Sequence, residues 1–448
     1  MRPFLYLVAC AAMLAVGGCA KESDRPVATG KASVRAINAI PASPQISFLI
    51  EQRALGNIAY KATSTTARYD DLSYTFYFKA LLAGDTAQTV VASFPLDVVA
   101  DMDYTFIIGG TLAAPTITLW SEPEQVFTGD ENYLSLRIAH TAVSLGDVDV
   151  YLLPPGTAPV LGQALGTLSY GEYLPPMDVD EGDYVLTYTA AGDPATVLFE
   201  SRTLTLVSKT SKILTIFDSD ENDVAPWSVR IMDLAAGSSS LVADANYPPT
   251  VRFLQASINF PDADIYDTDP LTAPIVTGHT FRDITGDIPM PSGTVPITYT
   301  TAGDTSMLLI DENHDIAAGT HQQYVVTNVD GTDTIIPSLP DRRSISTLAR
   351  LSLVNTASNV GAVDIYLVPA GDSIDDANPA LFSLTVGLTP VQFSVNAKDF
   401  DIYVTAPGEK TVIAGPIPLT TQLGGVYDAI LYDTTDPTAV DFEFIPPP

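Results

Sequence analysis

The chain has 448 residues and a formal net charge of −32, from 53 acidic and 21 basic residues. A surface of this sign repels nucleic acid and anionic lipid headgroups, so the charge excludes both as specific partners. Hydrophobic residues make up 46% of the chain, too many for a disordered acidic tail, and this predicts folded domains with hydrophobic cores.

The N-terminal residues have the pattern of an export signal. Arg2 supplies a positive charge, and the apolar stretch over 4–16 is too short to cross a bilayer as a helix. This stretch runs into "VGGC", which ends at Cys19 and resembles the lipobox of bacterial lipoproteins. The resemblance implies a signal peptide over 1–18 that is removed on export, and a mature chain that begins with an acylated cysteine.

The residues around the cysteine imply a lipid anchor and a destination. The resemblance makes Cys19 the lipidated residue, carrying palmitate-type chains, and 19–32 a polar tether. Each acyl chain contributes about 0.8 kcal/mol per buried methylene, so several chains anchor a protein without a transmembrane helix. In this lipoprotein class, an Asp after the Cys favours inner-membrane retention. Ala20 stands there instead, which implies the outer membrane, facing the periplasm or the cell surface. The other cysteine, Cys10, lies within the signal, so no disulfide is expected.

Four later stretches share one ungapped frame and predict tandem repeats. They begin at Val34, Leu136, Val251 and Leu351. Each has a polar residue near the end of its first apolar run: Asn38, His140, Gln255 and Asn355. Nine residues further on stand Ser47, Asp149, Asp264 and Asp364, and eleven further on Leu49, Tyr151, Tyr266 and Tyr366. What recurs is a polar residue, an Asp and a Tyr at fixed spacing.

The rest of each repeat reads as short strands and tight turns. Gly-Asp or Gly-Glu pairs, typical of hairpins, stand at 84–85, 192–193, 303–304 and 408–409. Short alternating strands separated by turn residues predict an all-β fold of four tandem immunoglobulin-like antiparallel β-sandwich domains. The predicted domains span 33–125, 132–235, 249–338 and 347–446. The short linkers between them predict a semi-extended row of units.

The second repeat carries a family resemblance. His140-Thr-Ala, then Asp149-Val-Tyr151, then "YGEYLPPMDVDEGDY" from Tyr170 resemble the domain-of-unknown-function family 4397. The other repeats keep parts of this pattern, and the first diverges most. The resemblance implies an all-β fold and a place in the bacterial envelope. The family carries no established catalytic residues, so none is assigned here.

Comparison of equivalent positions in the four repeats distinguishes residues that belong to the fold from residues that could form a catalytic site. Asp147 and Asp149 share one face of a strand and could bind a cation, but the pair recurs only in the third repeat. His140 is replaced by Asn or Gln elsewhere. We interpret His140 as a polar side chain that satisfies backbone groups, and Asp149 as the acceptor of a fixed hydrogen bond.

A calcium site is the sharper alternative elsewhere in the chain. "DSDENDVAP" places Asp218, Asp220, Asn222 and Asp223 like the start of an EF-hand loop, but a Gly at the sixth position and a Glu at the twelfth are missing. The four histidines show no zinc-ligand spacing. Tyr74, Phe76 and Phe78 share a strand face and could form a glycan platform, but alternation favours a place in the core.

No catalytic motif stands in the sequence, and we expect no enzyme activity and no cofactor, with calcium as the open exception. The function expected is that of a non-catalytic, lipid-anchored envelope protein whose repeated β-sandwiches act as a spacer or an adhesion-like binding module. Its partners would be the membrane, through the lipid, and a protein or glycan. The alternative is a calcium- or carbohydrate-binding surface lipoprotein.

Overall fold

A computed structural model describes residues 27–445, and these residues form 34 β-strands and no helix. The predicted signal peptide and Cys19 lie outside the described residues. No helix that could span a bilayer occurs between residues 27 and 445. The strands group into four units that follow one another along the chain.

Units 1 and 2 contain the first eighteen strands. Unit 1 comprises β1 (Lys31–Asn38), β2 (Ile46–Ile50), β3 (Arg53–Ile58), β4 (Ala67–Asp70), β5 (Ser73–Ala80), β6 (Thr89–Asp97), β7 (Met102–Thr111) and β8 (Ala114–Pro123). Unit 2 comprises β9 (Tyr133–His140), β10 (Val148–Leu153), β11 (Gly166–Leu168), β12 (Tyr173–Asp180), β13 (Gly182–Ala190), β14 (Asp193–Glu200), β15 (Leu204–Leu206), β16 (Ser211–Asp218), β17 (Trp227–Asp233) and β18 (Ser238–Val242).

Units 3 and 4 contain the remaining sixteen strands. Unit 3 comprises β19 (Thr250–Gln255), β20 (Ala263–Tyr266), β21 (Val276–His279), β22 (Ile288–Pro289), β23 (Gly293–Thr301), β24 (Asp304–Ile316), β25 (His321–Val329) and β26 (Thr332–Ser338). Unit 4 comprises β27 (Ala349–Asn355), β28 (Val363–Pro369), β29 (Leu381–Leu384), β30 (Val391–Val395), β31 (Asp399–Thr405), β32 (Val412–Thr420), β33 (Val426–Asp433) and β34 (Val440–Ile445).

Every unit divides its strands between two sheets in the same order. In unit 1 the first sheet has the order β4-β1-β7-β8 and the second β3-β2-β5-β6. Units 3 and 4 repeat this arrangement, and unit 2 adds β18 to its first sheet and β15 to its second. The prediction of an all-β fold of tandem β-sandwiches is confirmed.

One strand pair in each first sheet is parallel, which differs from the purely antiparallel sandwich that was predicted. β1 runs parallel to β7, with Ser33 opposite Asp103, and β9–β16, β19–β25 and β27–β33 pair in the same way. A parallel pair needs a crossover connection. The strands of the second sheet supply it, because the chain leaves the first sheet after β1 and returns later.

Each sandwich has its own core between the two sheets. In unit 1 the rings of Phe48, Phe76 and Phe106 meet there, with centroids 4.6 Å apart for Phe76 and Phe106. Phe78 is also fully buried in this core. Two of the three aromatic side chains considered for a glycan platform therefore lie inside the sandwich.

The units pack face to face in pairs rather than end to end in a row. Ile37 and Trp120 of unit 1, on the outer face of its first sheet, pack against Ile213 and Met232 of unit 2. Units 3 and 4 pack in the same way through a second apolar cluster, which includes Leu254 and Ile430. We call units 1 and 2 the first pair, and units 3 and 4 the second pair. The outward apolar residues on the central strands explain why these strands are buried on both faces.

Candidate functional site

The recurring polar residue at the end of each first strand is buried and binds main-chain groups. Asn355 Nδ2 donates to the carbonyls of Gly361 and Leu384, both at 2.8 Å, and its Oδ1 accepts from Ala357 N at 3.0 Å. Asn38 makes equivalent bonds, to Ile58 O at 3.1 Å and from Ile40 N at 3.0 Å. These side chains replace missing strand partners where the chain turns toward the second sheet.

His140 occupies the same position in unit 2. Its Nε2 lies 3.0 Å from the carbonyl oxygen of Gly146, and its Nδ1 has no hydrogen-bond partner within residues 27–445. Burial lowers the pKa of His140 below its ordinary value, so the neutral imidazole is favoured at pH 7. The hydrogen bonds of His140 and Asp149 go to different groups, and the two residues do not form an acid–base pair.

The recurring aspartate links a hairpin turn of its unit to a neighbouring edge strand. Asp149 Oδ2 accepts from Gly192 N at 2.8 Å, and its Oδ1 accepts from the hydroxyl of Thr167. We call this arrangement of one carboxylate with two hydrogen-bond donors the clamp. It recurs in unit 3, where Asp264 accepts from Gly303 N at 2.9 Å and from Gly278 N at 2.8 Å. One carboxylate thus links the Gly-Asp hairpin turn to the strand on the opposite side.

Unit 4 keeps the clamp and unit 1 replaces it. Asp364 accepts from Gly408 N at 2.8 Å and from Ser383 N at 2.7 Å. Gly408 has φ +74°, a left-handed conformation that glycine adopts at little cost. In unit 1 the position is Ser47, whose hydroxyl lies 2.5 Å from Asn57 Oδ1 and 2.7 Å from Gln88 Oε1. The divergent first repeat therefore has a different local network.

The recurring tyrosines are buried in the second sheet. Tyr151 is fully buried, and its hydroxyl has no hydrogen-bond partner in the described part of the chain. Tyr266 is buried as well. Tyr366 packs with Val368 and Ile374, and the ammonium of Lys410 lies 4.4 Å from the centre of its ring. These side chains pack the second sheet of units 2, 3 and 4 and are themselves almost fully covered.

The candidate calcium site lies at the end of β16 and in the loop that leads to β17. We call residues 218–226 the junction loop. Lys61 of unit 1 reaches into this loop: its Nζ lies 3.0 Å from Asp220 Oδ2 and contacts Asp223 Oδ2. All three side chains are buried or nearly so. The ammonium occupies the position between the two carboxylates that a metal ion would take.

The other two candidate ligands point to other partners. Asp218 accepts from Val143 N at 2.8 Å and from Ser144 N at 3.0 Å, so its carboxylate caps a neighbouring loop of unit 2. Asn222 Nδ2 donates to Asp341 Oδ1 at 2.7 Å, and its Oδ1 accepts from Arg342 N at 2.6 Å. The four side chains thus face three different sets of partners rather than one shared point.

The described residues contain no group of three or more His, Cys, Asp and Glu side chains arranged to hold a metal ion. The residues of the junction loop do not fit calcium as they stand, because Lys61 neutralises Asp220 and Asp223. Calcium binding there stays a prediction. No local pattern points to Lys61 as a partner of this loop, because Lys61 lies about 160 residues before it in the chain.

The junction loop contacts more than one unit. The hydroxyl of Tyr60 in unit 1 donates to Asp218 O at 2.9 Å. Burial, together with nearby carboxylates, raises the pKa of Tyr60. On its other side the loop pairs with unit 3 through a bridge between Asp223 and Thr320. Three units and the segment before unit 4 therefore meet at this loop.

Comparisons with known proteins give a family but no activity. No curated protein matches the chain. A solved structure titled "The Bacillus anthracis TIE protein" is similar at 10% identity and a TM-score of 0.14, covering 91% of this chain and 69% of that chain. A TM-score this low carries no argument about fold or function.

A family model described as "Domain of unknown function (DUF4397)" matches residues 32–151 and 249–366. The first match runs through unit 1 into β10 of unit 2, and the second through unit 3 into β28 of unit 4. Each match thus begins with the first unit of a pair and ends at the recurring Tyr of the second, Tyr151 or Tyr366. Together the two matches cover more than half of the 448 residues, and the chain belongs to the DUF4397 family.

Proposed function

We propose that this protein is a non-catalytic lipoprotein of the bacterial outer membrane. Its four β-sandwiches together form an adhesion-like binding module that binds a partner at the cell envelope. The observation that carries the proposal is the lipobox-like "VGGC" that ends at Cys19, after a positive residue and a short apolar stretch. Acyl chains on Cys19 would hold the protein at the membrane without a spanning helix.

The non-catalytic part of the proposal is supported by what the recurring polar residues do. Asp149, Asp264 and Asp364 each accept two hydrogen bonds from turn or strand groups of their own unit. The equivalent side chains at the ends of the first strands bind main-chain groups. Because these groups are already committed to the fold, they are not free to act on a substrate.

The packing of the units favours the function of a binding module over that of a spacer. A spacer gains reach when its units are joined end to end, whereas here they pack face to face in pairs. The junction loop also ties unit 2 to the segment that precedes unit 4. The partner is proposed to be a protein or a glycan of the envelope or of another cell.

The anchor is tested by Cys19→Ala in cells that produce the full chain. We expect this variant to appear in the soluble fraction and to lose the acyl mass on its N-terminal peptide, measured by fractionation and mass spectrometry. Cys10→Ala is the matched control. It changes the chain's other cysteine, which lies within the predicted signal, and should leave the protein in the membrane. A Cys19→Ala protein that stays membrane-bound would overturn the anchor proposal.

A further inference from the structure

The two pairs are held together in a different way from the units within each pair. Ten buried hydrophobic residues form the cluster between units 1 and 2, and seven form the cluster between units 3 and 4. Each of the other hydrophobic clusters found in residues 27–445 lies within a single unit. Hydrophobic burial therefore fixes each pair, and polar contacts dominate the boundary between the pairs.

Polar contacts between the pairs gather at the junction loop and at the segment before unit 4 (339–348). Within the first pair, Lys61 of unit 1 holds Asp220 and Asp223 of the loop in place. Asn222 of the loop bonds across the boundary and holds the segment before unit 4 through Asp341 and the main chain of Arg342. A single continuous chain of hydrogen bonds thus runs from unit 1, through unit 2, to the second pair.

The segment before unit 4 passes this restraint to unit 3 and back to unit 1. The guanidinium of Arg342 binds both oxygens of Asp287 in unit 3, at 2.7 and 3.0 Å. Arg343 donates to Ser43 O of unit 1 at 2.8 Å, and Ser346 N donates to Ala42 O at 2.8 Å. The segment is therefore held on both sides of the boundary between the pairs.

Basic residues are scarce in this chain, yet several gather at this boundary. Five of the chain's 21 basic residues contact the junction loop or the segment before unit 4, or lie in that segment: Lys61, Arg230, Arg342, Arg343 and Arg350. With a net charge of −32, the rest of the molecule is strongly acidic, and two acidic bodies repel each other. The cations lie where they offset that repulsion.

We propose that the junction loop and the segment before unit 4 form an electrostatic joint that sets the placement of two rigid pairs of β-sandwiches, so that loss of the charge-assisted hydrogen bonds across it lets the pairs move apart. Polar boundaries between domains permit relative motion unless specific contacts oppose it. Here the opposing contacts are concentrated in one loop and one segment, so the open and closed arrangements differ mainly in these few bonds. This inference is independent of the lipid anchor.

The joint is tested by measuring distances between spin labels on the full lipoprotein in detergent. One label pair spans the joint, on cysteines introduced at the exposed positions Ala195 and Thr411. A second label pair, at Ala87 and Ala195, reports within the first pair. In the unchanged background we expect one narrow distance distribution for each label pair.

Arg343→Met and Asn222→Ala are the test variants, because both side chains bond across the boundary between the pairs, and Lys212→Met is the matched control. Lys212 forms an ion pair with Asp233 at 2.8 Å inside unit 2, away from the boundary between the pairs. We expect both test variants to broaden and lengthen the distribution across the joint and to leave the distribution within the first pair narrow. The control should change neither distribution.

The ionic strength separates an electrostatic joint from a purely steric one. In Arg343→Met the remaining repulsion is screened by salt, because the Debye length falls from about 10 Å at 0.1 M to about 3 Å at 1 M. The mean distance across the joint should then shorten as salt is added. Distances in both test variants that equal the unchanged protein would overturn the joint. An Arg343→Met distance that does not respond to salt would overturn its electrostatic basis.

Discussion

The aspartate that recurs in units 2, 3 and 4 shows how a single side chain can hold a β-sandwich unit in shape. Its two oxygens accept from the glycine of the hairpin turn and from a group beside the opposite edge strand, as Asp364 does with Gly408 and Ser383. Asp is a poor strand former, so its place in a central strand needs a compensating interaction. Hydrogen bonds to an ionised carboxylate supply that compensation.

Removing this clamp should destabilise its unit. In Asp149→Ala the N–H of Gly192 and the hydroxyl of Thr167 lose their acceptor, and we expect the free energy of unfolding to fall by about 2–3 kcal/mol. Asp147→Ala is the matched control, because Asp147 is exposed and two residues away, and should change stability by less than about 0.5 kcal/mol. Urea denaturation measures both. Equal effects of the two substitutions would contradict the clamp.

His140 should make the stability of unit 2 depend on pH. Its pKa in the folded state is lowered by burial, while the unfolded chain has the ordinary value of about 6.5. The unfolded state therefore binds more protons below pH 6.5. The contribution of the neutral imidazole is complete above that pH and is lost as the pH falls, by at most about 1.4 kcal/mol per pH unit.

His140→Asn tests this assignment with a residue that the repeats already use, since Asn38 and Asn355 occupy the same position. We expect the variant to fold and to lose less stability than the unchanged protein between pH 7 and pH 5.5. Urea unfolding at the two pH values measures the difference. An identical loss in both proteins would show that His140 does not titrate on unfolding.

The recurrence of residues predicted which positions matter but not what they bind. The Asp–x–Tyr spacing predicted that Asp149 is a fixed hydrogen-bond acceptor. An Asp recurs at the position of Asp149 in three repeats, whereas the position of Asp147 varies more. Its partner Gly192 stands 43 residues later and is one of 29 glycines. Only the pairing of β10 with β13 brings the two together, and pairing between distant strands is not encoded in local spacing.

Among the larger elements, the junction loop combines an acidic sequence with a cation from another unit. Its spacing of carboxylates is typical of calcium loops, but Lys61 lies between Asp220 and Asp223. A buried ammonium held by two carboxylates satisfies the charges that a divalent ion would otherwise satisfy. The sequence could predict the acidic loop, but not a lysine from a unit that is distant along the chain.

Chelation should therefore leave the protein unchanged. We expect the same melting temperature with and without EDTA, because the ammonium of Lys61 already occupies the position between the carboxylates. Differential scanning calorimetry on protein prepared in calcium makes the comparison. A calcium ion bound at 100 times its Kd would add about 2.7 kcal/mol, so a clear drop on chelation would favour the calcium-binding alternative.

The sheets show the same limit of sequence reasoning at the level of strands. Alternating residues and Gly-Asp turns predicted the strands and the sandwich, because these signals are local. The parallel pairing of β1 with β7 was not predicted, because it joins strands that have most of the unit between them. The run "VRAINAI" covers the end of β1 and the two residues after it, and all seven of its residues are buried. The face-to-face packing of units explains this burial on both faces.

The whole molecule is organised at three levels: single units, pairs of units, and the two pairs joined to each other. Hydrophobic cores form each unit, apolar sheet faces join units 1 and 2, and polar contacts dominate the joint between the pairs. The family matches follow this hierarchy, since each begins with the first unit of a pair. Two copies of a two-unit module account for the arrangement better than four independent domains in a row.

The parallel pairing of first and seventh strands also governs how the chain must fold. Ser33 of β1 pairs with Asp103 of β7, and closing a loop of that length costs chain entropy before the contact stabilises anything. The outer face of β1 is then covered only when β9, β16 and β17 have formed. A chain synthesised from its N-terminus thus leaves the outer face of its first strand uncovered until Asp233, the end of β17, has emerged. We expect the first pair to fold as one slow cooperative unit of about 210 residues, with its earliest strand the last to be fully protected from solvent.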